Sequence, residues 1–261
     1  MTCLRSAALT PLLIPNALAK AEAALRLPDD LPIDTTSTWP NPSGLPGLPE
    51  RPRLVRHTEL KQGSVATLEG RARLVHAIAH IELNAIDLAL DIIWRFPDLP
   101  EAFYRDWLRV AREEASHFLM LREHLVGMGF DYGSFDAHNG LWEAAERTRH
   151  DVLARLALVP RSLEARGLDA SPAVRAKLAG AGDTRAAEIL DIILREEIGH
   201  VAIGNRWFRH VCAQRGLEPA ATQVTLEREF GAPRPRGPFN LAARRAAGFD
   251  EAELAALQGG A

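Results

Sequence analysis

The chain of 261 residues is long enough to bury a sizeable core, and its 47% hydrophobic and 25% charged residues are the balance of a soluble globular protein. A net charge of −3 excludes a global field that recruits nucleic acid or an anionic membrane. Two cysteines, Cys3 and Cys212, exclude a disulfide scaffold and a cysteine-rich zinc site, and they suit a reducing, cytoplasmic compartment.

The N-terminal stretch LRSAALTPLLIPNALA imitates a signal peptide, but its apolar run is short and is interrupted by Pro11 and Pro15. Residues 11–27 read instead as one amphipathic helix. Residues 28–56 hold seven prolines, with Ile33, Trp39 and several leucines between them. This pattern predicts an extended arm packed on a core. No apolar run approaches the roughly 20 residues of a membrane helix, so no membrane association is expected.

Four long helical patterns follow, over about 68–96, 100–127, 141–166 and 183–215. Pro97 stops the first and proline opens the second. Gly167 reads as the C-cap of the third, and Asp183 or Thr184 as the N-cap of the fourth. A Pro/Arg-rich loop, FGAPRPRGPFN, precedes a last helix at about 250–257. The expected organisation is an N-terminal helix and arm (1–66), an all-α four-helix bundle (67–216) and a C-terminal loop and helix (217–261).

Each long pattern carries a glutamate on its apolar stripe. Glu82 interrupts Val75, Ile78, Ala79, Ile86, Ala89 and Ile93 in the first. Glu114 sits among Trp107, Val110, Ala111, Phe118, Leu121 and Leu125 in the second, with His117 at i+3. The fourth repeats this, with Glu197 among Leu190, Ile193, Leu194, Val201 and Phe208 and His200 at i+3. The third offers Glu164 near Leu153, Leu156, Ala157 and Leu168, one turn after Pro160, which should kink the helix. Its rival Glu146 has the wet neighbours Arg149 and His150.

Burying a carboxylate is costly unless it is paired, protonated or metal-bound. Glu82 precedes Glu114 by 32 residues and Glu164 precedes Glu197 by 33, so two hairpins carry the same Glu…Glu-x-x-His pattern. A single E-x-x-H usually marks a solvated face. The doubled pattern matches the ligand set of a di-iron or di-manganese carboxylate site, and donors without thiolate suit iron or manganese.

The stretches HAIAHIELNAIDLALD (76–91), REEASHF (112–118), ALVPRSLEARGLD (157–169), LREEIGHVAIGNRWF (194–208) and PFNLAARRAAGF (238–249) resemble the ferritin-like superfamily. More narrowly, they resemble a bacterial family within it known as a domain of unknown function. The resemblance implies a four-helix bundle with two iron ions, manganese or mixed Mn/Fe being compatible. Its ligands would be Glu82, Glu114, His117, Glu164, Glu197 and His200. In similar proteins an acidic residue before E-x-x-H steadies the histidine of the opposite helix. By that likeness Glu113 serves His200 and Glu196 serves His117. The alternative leaves both solvated or paired with arginine.

Other polar residues rate below these. Arg112 and Arg195 lie about 200° around the helix from the ligand glutamates, and neither is assigned to the metals. His76, His80, Asn84, Asp87 and Asp91 form a second stripe on the first long pattern, read as an inter-helix contact or a solvent face. The C-terminal arginines read as a solvated surface, although a phosphate-bearing substrate or RNA stays open.

The leading functional expectation is a di-iron oxidase or monooxygenase that uses O2 or peroxide on a small or nucleic-acid-derived substrate, with a separate electron donor. The alternatives are an iron-handling protein (ferroxidase, storage or peroxide detoxification), in which a homodimer or cage is expected, and a metal-binding scaffold without catalysis.

Overall fold

The computed structural model describes residues 2–61 and 63–259. Among them all regular structure is helical, and the only strand-like pairing is an isolated bridge between Leu54 and Ala137. No helix among them is long and apolar enough to cross a membrane. The chain divides into two compact units, Met1–Trp142 with Leu178–Ile189, and Glu143–Lys177 with Leu190–Ala261.

The first unit is built on two long helices, α3 (Leu68–Arg95) and α4 (Glu101–Gly127), joined by a five-residue link and packed antiparallel. The Thr67 side chain caps α3 by accepting from Gly70 N at 3.1 Å. Tyr104 Oη donates to the Phe96 carbonyl at 2.9 Å and closes the link. The expected N-terminal helix over 11–27 is instead two helices, α1 (Leu4–Leu12) and α2 (Ala17–Leu25), packed on α3 and α4. Pro15 and Asn16 divide them, because Asn16 turns its side chain onto Ala19 N at 2.9 Å and starts a new helix.

The proline-rich segment is an arm held by buried cations. Arg5 is fully buried and donates to the Ile93 and Trp94 carbonyls in the last turn of α3, and to Asp34 and Ser37 carbonyls in the arm at 2.9 and 2.7 Å. One guanidinium thus satisfies carbonyls that a helix end leaves without partners and binds the arm to them. Lys20 Nζ, 1% exposed, pairs with Asp87 and donates to the Gly47 carbonyl at 2.9 Å.

The second polar stripe of α3 is therefore a contact face and not a solvent face. His76 Nε2 accepts from Gly133 N at 2.9 Å, and a φ of 97° lets Gly133 make that approach. His80 Nε2 donates to the His138 carbonyl at 3.0 Å, which leaves Nδ1 to accept from Tyr132 Oη at 2.7 Å. Burial pushes both histidines down to about 4, so they stay neutral. Asp91 pairs with Arg95 at 2.6 Å.

The second unit corrects the third long pattern. The single helix expected over 141–166 is broken into α5 (Gly140–Arg147), α6 (Val152–Leu158), a π-turn (Val159–Glu164) and α7 (Ala165–Gly180). Buried Arg155 holds the first break, donating to Thr148 Oγ1 at 3.0 Å and to the Ala145 carbonyl at 2.7 Å. Asp151 restarts the helix by accepting from Leu153 N. Pro160 has no N–H and distorts the ladder; the chain absorbs this as one wide turn. Gly167, expected to be a C-cap, lies inside α7.

Helix α8 (Thr184–Gln214) gives its first six residues to the first unit and the rest to the second. Asp183 caps it, accepting from Ala186 N at 3.1 Å. The C-terminal region holds two helices beyond the single one expected: α9 (Pro219–Glu229) and α10 (Leu241–Ala246) precede α11 (Glu251–Gly259).

Candidate metal centre

Glu82 on α3 and Glu114 on α4 lie at equal distances along the chain from Asp98, in the middle of the link. An antiparallel pair built on that link sets them at one level. His117, one turn further along α4, joins them. All three are buried, Glu82 at 3% exposed and the other two at 0%. His117 Nδ1 lies 3.1 Å from Glu82 Oε2 and 3.4 Å from Glu114 Oε2. One ligand atom from each residue falls within 4.8 Å of the others, so this buried group can hold a metal ion.

The electrostatics follow from that crowding. Burial pushes the Glu82 carboxyl well up, and the neighbouring Glu114 charge adds to this. Burial alone would push the His117 imidazole down, but the hydrogen bonds to Glu114 and Glu82 outweigh it and hold it up at about 11. Buried carboxyl groups this close together require a positive charge beside them, whether a proton shared with the imidazole or a metal ion in its place. Oxygen and imidazole donors around a positive centre are also what a divalent iron or manganese ion takes, so the residues fit such an ion.

The second unit carries the companion pair. His200 is buried and its Nδ1 lies 3.6 Å from Glu197 Oε1, which is also buried. Both histidines therefore turn Nδ1 toward the glutamate one turn earlier, as i,i+3 neighbours on a helix do. Glu164 is half-buried and is the last residue of the π-turn. Its rival Glu146 is 40% exposed in its side chain and pairs with Arg149 at 3.3 Å.

Arg112 points to the arm, as its wheel position requires, and bonds Asp29 and the Leu27 carbonyl. Arg195 pairs with its chain neighbour Glu196 at 3.1 Å. Sequence reasoning missed Arg5, Lys20, Arg155, Arg161 and Arg244 as buried cations. A lone Arg or Lys inside an N-terminal amphipathic pattern carries no signal of the carbonyls it will meet.

The family described as protein of unknown function (DUF455) matches residues 14–255. An uncharacterized protein of Haemophilus influenzae (strain ATCC 51907 / DSM 11121 / KW20 / Rd) is 50% identical over 213 residues, which is 79% of this chain and 74% of the relative. No solved structure matches the chain.

Proposed function

The chain belongs to the DUF455 family, and on that footing we propose that it is a ferritin-like dinuclear non-haem iron oxidoreductase. The observation that carries this reading is the buried Glu82–Glu114–His117 group. Three ligating side chains from two helices converge where an apolar interior would otherwise tolerate none. Glu164, Glu197 and His200 supply the other half of the ligand set, on the strength of the repeated Glu-x-x-His pattern. Manganese fits the same donors.

When bound, the two metal ions supply the electrons and the Lewis acidity for using O2 or peroxide. The chain supplies the rest. Glu82 and Glu114 offset the metal charge in a site closed to water. His117 and His200 keep Nδ1 on the metal side, so each carries its proton on Nε2. Glu196 and Glu113 are the proposed acceptors of those two protons, each fixing the tautomer of the other half's histidine.

Metal content of protein purified without oxygen tests the reading, with two iron ions per chain expected and fewer in Glu114→Gln. Less than about one metal ion per chain, unchanged in Glu114→Gln, refutes it. Rapid O2 consumption with Fe(II) and no organic substrate would assign the iron-handling alternative instead.

A further inference from the structure

The C-terminal helices of the second unit converge on the turn that carries Glu164. Arg161, inside that π-turn, is 3% exposed and stacks over the Phe208 ring at 4.3 Å. Its Nε donates to Gln223 Oε1 of α9 at 3.0 Å, and its Nη2 donates to Glu253 of α11. Glu253 also accepts from Arg209 of α8 at 3.0 Å. Gln223 Nε2 donates to the Ala157 carbonyl at 3.1 Å, and Ser162 Oγ donates to Glu227 Oε1 of α9 at 2.7 Å. The wide turn loosens its own ladder, and α9 and α11 fasten it from outside.

The same segment also clamps the helices beside the turn. Ala165, next to Glu164, and Val201, next to His200, share one buried cluster with Ala243, Ala247, Phe249 and Leu254. Arg244 pairs with Asp169 of α7 at 2.6 Å, and Asn205 of α8 donates to the Ala247 carbonyl at 2.7 Å.

We propose that the C-terminal helices set the metal affinity of the half-site formed by Glu164, Glu197 and His200, with Arg161 the positioning residue that fixes the π-turn and with it Glu164. The proposal rests on the reading of Glu164 as a ligand. A ligand at the end of a turn with a disturbed ladder is placed only as well as the turn is held. Groups hydrogen-bonded to a ligand commonly change metal affinity by about 10–100-fold; these residues act on Glu164 through the turn, so the lower end of that range is expected.

The test uses the full chain and Co(II) as the probe, with hydrogen exchange on the metal-free protein as a second readout. Gln223→Ala and Glu253→Gln are chosen because they release the turn without emptying the buried Arg161 site. Each should weaken one of the two Co(II) ions by about 10-fold or more, leave the other unchanged, and speed amide exchange over 161–165. Arg215→Ala breaks the ion pair with Asp151 in the same unit, away from the turn, and should change neither readout. If Glu164→Gln leaves both Co(II) affinities as in wild type, the ligand reading falls and takes the proposal with it. If Glu164→Gln weakens one ion but Gln223→Ala and Glu253→Gln bind both as wild type does, the proposal alone is overturned.

Discussion

Gly204→Ala sets helix propensity against packing at the turn that carries Glu164. Gly204 lies inside α8, where alanine is worth about 1 kcal/mol more than glycine. Propensity therefore predicts a more stable protein. The packing predicts the opposite. A Cβ at Gly204 would stand 2.4 Å from Pro160 Cβ and 2.7 Å from Pro160 Cγ, inside the 3.0 Å that real Cβ atoms respect. The proline ring cannot rotate aside, because its χ angles are closed into the backbone. Either α8 or the π-turn must move. Such overpacking costs about 1–3 kcal/mol, and a rigid neighbour puts this case at the upper end. The net loss is about 2 kcal/mol once the propensity gain is subtracted.

In a domain of this size that loss lowers Tm by about 4–8 °C. Gly167→Ala is the matched control: it is also inside a helix, and nothing lies within 4 Å of its added Cβ. It should gain up to about 1 kcal/mol. Thermal melts followed by circular dichroism measure both. A Gly204→Ala protein as stable as wild type, or more stable, would refute the argument that the π-turn abuts α8 at this glycine.

Three further outcomes are expected. Asp87 is pushed up to about 6 by burial, against the opposing pull of Lys20, from an ordinary value of 3.8. It holds its proton more tightly when folded, so its contribution to stability is full below pH 3.8 and is lost as pH rises through 6. That amounts to about 3 kcal/mol, and urea midpoints across pH 4–6 should slope less in Asp87→Asn than in wild type. Arg5→Ala strands several buried carbonyls, each worth about 1–3 kcal/mol, so it should lower stability by at least about 3 kcal/mol and expose residues 34–37 to hydrogen exchange. Glu114→Gln and Glu113→Gln should differ in kind: the first should lose metal, and the second should weaken it by about 10–100-fold. Equal, negligible effects in elemental analysis would remove both residues from the metal site.

Local chemistry determined much of this protein and can be read from the residues. Thr67, Asp183 and the prolines around the α3–α4 link mark helix ends because capping and the missing proline N–H act within one turn. The periodic stripes around Glu82, Glu114 and Glu197 put carboxylates on buried faces for the same local reason. The structure carries this through for Glu82, Glu114 and Glu197, and it leaves Glu146 wet. Other features were decided at a distance. Whether Pro15 and Pro160 end, divide or widen a helix depends on what receives the freed backbone groups. Asn16 does this for α2, and Gln223, more than 60 residues downstream of Pro160, does it for the Ala157 carbonyl. The stripe of His76, His80, Asp87 and Asp91 reads equally as a contact or as a wet face until the arm and the loop at Tyr132 cover it. Arg5 and Lys20 look like surface charges until the arm's carbonyls surround them. Periodicity reports one helix against an unspecified interior. Only the tertiary structure supplies the chain that covers it, because these partners lie tens of residues away and leave no mark at the positions they satisfy.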